Sequence, residues 1–130
     1  CKDLRSVFES YLVPGRPGYV DHRWATLADA LGWIHGAGGV AAVAHPGRYK
    51  LSRGDMRRFL DEFRELGGQA IEVMSGSHTP EHVDLYSRLA REYRFAASRG
   101  SDFHGPGESY VDLGRLPPLP DGLRPVWQLF

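Results

Sequence analysis

Cysteine is almost missing from this sequence: of 130 residues only Cys1 carries a thiol, so no disulfide can close within the chain. That excludes a cystine-stapled small domain and fits a reducing compartment. Net charge is missing too, since 16 Lys and Arg stand against 16 Asp and Glu. No overall field draws in a polyanion, and any phosphate must be held by a local cluster. No apolar run approaches the roughly 18 residues of a membrane span, and the start has no basic segment leading into an apolar one. The expectation is a soluble, cytoplasmic protein with no membrane partner. Repeats and low-complexity tracts are absent. What remains, 42% apolar and 25% charged residues, is ordinary globular usage and enough for one domain with a real core.

The residues that are present alternate between helical and strand patterns. Leu4, Val7, Phe8 and Tyr11 recur at helical spacing, so residues 3–12 are expected to form an amphipathic helix, broken by Pro14-Gly15-Arg16-Pro17-Gly18. Thr26 is a good N-cap for a helix carrying Leu27, Ala30, Leu31 and Ile34, and Gly36, Gly38 and Gly39 end it. Residues 39–44 then read as a buried strand. Ser52 caps a helix whose inward stripe is Met56, Phe59, Leu60 and Phe63, and Gly67-Gly68 stop it. Residues 69–74 make a second strand. Thr79-Pro80 opens a helix through Val83, Leu85, Leu89 and Ala90 to about Tyr93, and residues 95–98 make a third strand. Strand and helix in alternation predict an α/β fold on a parallel sheet. About three such units are too few for a closed barrel of eight. The first residue is not methionine and the first helix lacks a start signal, so the chain is expected to be a piece of something larger.

Two strand ends offer metal ligands. Gly100-Ser101-Asp102-Phe103-His104-Gly105 places a carboxylate and an imidazole just past the third strand, and His45-Pro46-Gly47-Arg48 follows the first. Parallel folds keep their chemistry at these ends. Imidazole with carboxylate suits zinc, manganese or iron, whereas calcium would want mostly oxygen. The alternative is a hydrogen-bonded His45 packed at a rim and an Asp102 that caps a turn.

Residues 44–49 (Ala-His-Pro-Gly-Arg-Tyr), Ile71-Glu72-Val73, Ser75-Gly76-Ser77-His78 and residues 100–104, in this order and spacing, resemble the polymerase-and-histidinol-phosphatase (PHP) family. The likeness is to its TrpH-like, RNase AM-type phosphoesterases, and the ending from Leu113-Gly114-Arg115 to Trp127 shares it. The resemblance implies a distorted (β/α)7 barrel, of which residues 25–130 would be the C-terminal half and residues 1–24 the tail of a helical insertion. It implies a cluster of divalent metals (Mn, Zn or Fe), with His45, Asp102 and His104 as ligands and the last two on different ions. It implies hydrolysis of phosphate esters of nucleotides or RNA 5' ends, as by a 3',5'-nucleoside bisphosphate phosphatase or a 5'-3' exoribonuclease. The family's opening H-x-H strand and further N-terminal ligands have no counterpart here, so the chain is expected to be inactive alone.

Other residues divide between chemistry and structure. Arg48 is placed to grip a phosphate bidentately, or is a solvent-facing loop residue. His78 is the candidate catalytic residue, as a substrate contact or a proton shuttle, and Ser77 beside it a candidate substrate contact. Glu72, inside the second strand, is either the partner of a ligand histidine or half of a structural salt bridge. His22, His35 and His82 read as surface or packing residues. Lys50, Arg53, Arg57 and Arg58 either track a nucleic-acid backbone or solvate a helix face, which leaves a non-catalytic RNA- or phosphate-binding module as the alternative function. An open half-barrel would expose strand edges, so a homo-oligomer is expected.

Overall fold

The chain runs through α1 (Leu4–Val7), a π-helical stretch Phe8–Leu12, α2 (Leu27–Gly36), β1 (Ala42–Val43), α3 (Arg53–Glu65), β2 (Ala70–Ser75), α4 (Pro80–Tyr93) and β3 (Ala96–Gly100). The computed structural model describes residues 3–130, and Cys1 lies outside the described residues. The three strands are parallel and neighbour one another in chain order, with Val43 opposite Ile71 and Ile71 opposite Ala97. Right-handed crossovers between strands in this order put both connecting helices on one face. The core agrees: Met56, Leu60 and Phe63 of α3 and Tyr86, Leu89, Ala90 and Tyr93 of α4 cluster with Val43, Ile71, Val73 and Ala97. Along β2 the buried Ile71 and Val73 alternate with Glu72 and Met74, which are only partly buried on the other face.

The helices begin where local chemistry starts them. Thr26 and Ser52 each accept the backbone N–H three residues on at 3.1 Å, and Thr79 does the same for His82 at 3.4 Å. Each such cap stabilises its helix by about 1 kcal/mol. Across the helix layer the Arg57 guanidinium is paired in two hydrogen bonds with Glu92, and the Tyr93 hydroxyl donates to the Arg57 carbonyl at 3.3 Å. No helix among the described residues is long and apolar enough to cross a membrane.

Two expectations need correction. The first helix is four residues of α-helix followed by the π-helical stretch, and its stripe is not packed: Leu4, Phe8 and Tyr11 are exposed, because nothing among the described residues covers them. The first strand is two residues long rather than six, since the Gly39 N–H turns back to the Ile34 carbonyl at 2.8 Å to finish α2. The tail also meets the sheet. Ala97 donates to the Arg124 carbonyl at 2.7 Å and bridges Pro125 in parallel, so the end of the chain lies along the free side of β3.

Candidate functional site

At the carboxyl end of β1 the backbone makes a left-handed turn at His45, with φ 31° and ψ 54°. A non-glycine residue in this region is uncommon and must be held there. The holding contact is the His45 N–H, which donates to Glu72 Oε2 at 2.5 Å. Burial pushes the Glu72 carboxyl above its usual range; the His45 N–H and imidazole pull it down, and Asp102 pushes it up further. The imidazole of His45 meets Tyr49 edge-on at 6.3 Å, while its Nδ1 is buried without a partner. Burial, with Glu72 nearby, raises the Tyr49 hydroxyl.

The exit of β2 is clamped to that of β1. His78 Nδ1 lies 2.9 Å from the Val73 carbonyl and Nε2 accepts the Gly47 N–H at 3.1 Å. These bonds assign the proton to Nδ1 and keep the ring neutral. Burial accordingly lowers the His78 pKa. Tyr86 stacks on this ring at 5.3 Å and His82 stands 5.6 Å away. Position 47 admits no side chain, because a Cβ would lie 2.8 Å from His78 Cδ2 and 2.9 Å from His82 Nδ1. The next exit is pressed just as closely: a Cβ on Gly76 would fall 2.2 Å from the Ser101 carbonyl oxygen. Ser77 is partly buried, its hydroxyl 3.5 Å from that of Ser75.

Past β3, Asp102 is also left-handed, with φ 56°. Its carboxylate takes Arg48 Nη1 at 3.0 Å, and His104 Nδ1 lies 2.6 Å from its backbone carbonyl and 3.9 Å from Oδ1. The exposed His104 is fixed by its own N–H, which donates to Ser109 Oγ at 2.7 Å. With Glu108 and Tyr110 these three residues line a cleft of about 340 Å³.

The structure therefore brings His45, Glu72 and Asp102 to one end of the sheet and joins Arg48 to Asp102. His78, the candidate catalytic residue, has both ring nitrogens on backbone groups. His82, expected as a surface or packing residue, packs beside the His78 and Tyr86 rings. His22 is turned to the Val20 carbonyl at 3.1 Å and His35 packs on Gly67, both apart from the strand ends. An unpartnered buried imidazole nitrogen at the sheet end that also carries the Glu72 and Asp102 carboxylates is the right donor chemistry for a divalent transition ion. The donors fit in kind, yet no three His, Cys, Asp or Glu among the described residues are arranged to hold a metal.

No family model matches the chain. It is 50% identical over 127 residues to a 3',5'-nucleoside bisphosphate phosphatase of Chromobacterium violaceum, covering 98% of this chain and 45% of that protein. To the 5'-3' exoribonuclease Rnm of Escherichia coli it is 42% identical over 130 residues, or 44% of that protein. The chain thus spans less than half the length of these curated relatives. A solved structure of an amidohydrolase from Chromobacterium violaceum, holding sulfate and no metal, matches with a TM-score of 0.81 at 50% identity, over 99% of this chain and 44% of that one. A protein of Bifidobacterium adolescentis, proposed as a metal-dependent phosphoesterase, matches with a TM-score of 0.61 at 22% identity and supports the fold alone. Over nearly its whole length, then, the chain is similar to parts of larger proteins that include a nucleotide phosphatase and an exoribonuclease.

Proposed function

We propose that this chain is part of a PHP-type phosphoesterase that hydrolyses phosphate esters of nucleotides or RNA 5' ends with a bound divalent metal. The observation that carries the reading is the convergence of three strand exits on one end of the sheet, where the buried Nδ1 of His45 has no partner. Half-identity to a bisphosphate phosphatase supports it. In this reading residues 25–130 are the C-terminal half of the barrel and residues 1–24 the end of an insertion. His45, Asp102 and His104 would hold metal together with ligands from outside this chain, so the chain alone is inactive. A bound manganese, zinc or iron ion supplies an activated water and neutralises phosphate oxygens.

The chain's own residues prepare that site. Glu72 fixes the backbone of His45 and so aims its imidazole. His78 ties the Gly47 loop to β2 and is a positioning residue. Arg48 neutralises Asp102 at 3.0 Å; with Asp102 committed to an ion, the guanidinium is left for the substrate phosphate, which it can grip bidentately. Ser77 borders the same end as a substrate contact.

The test is phosphate release from a nucleoside 3',5'-bisphosphate by the protein that carries this chain, with manganese, in native and Asp102→Asn forms. The expected loss exceeds the roughly 10- to 100-fold that removal of an outer partner of a metal ligand costs, and a chelator abolishes the native activity. Undiminished turnover by Asp102→Asn would overturn the reading.

A further inference from the structure

Beside the strand ends, α3 and α4 leave a groove between them of about 320 Å³. Its floor is apolar, built from Met56, Leu85 and Leu89, and its sides carry Arg53 from the start of α3 and Arg88 from α4. Both arginines are exposed, and neither is in an ion pair among the described residues. The third arginine of the lining, Arg57, is committed to Glu92, so two free cations remain. The groove adjoins the candidate site through two shared rings: Tyr49 meets His45 edge-on at 6.3 Å, and Tyr86 stacks on His78 at 5.3 Å.

We infer that this groove takes the 3' continuation of a single-stranded RNA whose 5' end lies at the strand ends. The inference rests on the phosphoesterase reading and assigns it a polymeric substrate. Single strands are held by cations that follow the phosphates together with apolar and aromatic surface for the bases, and the groove offers both. A chain with 16 charges of each sign has no general field to do this, so the free arginines must act locally. An acidic peptide would satisfy Arg53 and Arg88 but leave the tyrosine and the apolar floor unused.

The experiment compares native protein with Arg53→Glu/Arg88→Glu and Arg53→Gln/Arg88→Gln, in the polypeptide that carries this chain. Both side chains are exposed, and circular dichroism checks the fold. One readout is the kcat/KM for a 5'-phosphorylated oligoribonucleotide divided by that for a nucleoside 3',5'-bisphosphate. The ratio is expected to fall about tenfold or more on charge reversal and less on neutralisation; an unchanged ratio overturns the groove while leaving the phosphoesterase reading intact. The other readout is anisotropy of a labelled single-stranded oligoribonucleotide, which needs no turnover. Loss of two contacts should reduce the slope of log affinity against log salt by about 1.4, at about 0.7 per phosphate. If neither substrate is hydrolysed, the phosphoesterase reading fails and anisotropy still decides the groove: binding that charge reversal leaves intact overturns it. Displacement of the RNA by poly-glutamate at equal charge concentration would also overturn it, in favour of an acidic protein partner.

Discussion

The two faces of the three-stranded sheet are built to opposite rules. On one, Ile71 and Val73 are shut beneath α3 and α4 with Leu60, all of them without solvent exposure. On the other, Glu72 stands between those two residues in sequence and keeps a partly exposed carboxyl among His45 and Asp102. On the covered face, packing, helical periodicity and capping mostly agree, which is how a sequence secures a single structure; its exceptions are the buried, unpartnered Ser87 Oγ of α4 and the left-handed Arg94 that ends that helix. The other face and its ends carry more of them: two of the three left-handed non-glycine residues among those described, an imidazole nitrogen without a partner, and a carboxyl lifted by burial. Departures of this kind collect where function is, and the covered face supplies the stability that tolerates them.

The largest effect expected from this contrast is on the covered face. Leu60→Ala should cost about 2–5 kcal/mol in denaturant unfolding, because a fully buried side chain leaves a cavity that the helix layer cannot close. A cost near that of a surface change would mean that α3 is not the lid of the core. Glu72→Gln should be mild for folding, below about 1 kcal/mol, since the amide oxygen can still accept the His45 N–H. Metal titration should nonetheless show affinity lowered about 10- to 100-fold, and equal affinity would remove Glu72 from the site.

The smallest effect concerns pH. Burial depresses the His78 pKa, so its stabilising contribution is present above its unfolded value of about 6.5 and is lost as pH falls through the lower folded value. Glu72 works the other way, its raised carboxyl favouring the fold below the ordinary carboxylate range and less as pH rises through its folded value. Unfolding at pH 7.5 and 5.5 should therefore show the native protein weakening toward acid and His78→Gln weakening less. Parallel losses in both proteins would show that the ring is not held neutral.

Much of the covered face is legible in the sequence because its signals are local. Thr26, Ser52 and Thr79-Pro80 act within three residues of themselves, and the stripe of Met56, Leu60 and Phe63 recurs at helical spacing. Candidate ligands are legible as donor types at strand ends. What joins them is not. The pairing of Arg48 with Asp102 spans 54 residues and depends on β1 and β3 flanking β2. The double engagement of His78 needs the Gly47 loop to arrive from another strand, and the short β1 follows from where α2 ends. The bridge at Pro125 is set by the free side of β3 rather than by any strand pattern in a proline-rich tail.

Gly47 belongs to the site through the space it leaves. Any added carbon there would take room from two imidazoles, one of which is the anchor between the first and second strand exits. The three exits are linked in turn, β1 to β2 through Gly47 and His78, β2 to β3 where Gly76 donates to the Gly100 carbonyl at 3.2 Å, and β1 to β3 through Arg48 and Asp102. Each exit is thus tied to the other two, and a shift of one is felt by its neighbours. Substitutions that move one of these exits therefore press on the other two, and position 47 has to stay bare in any of them.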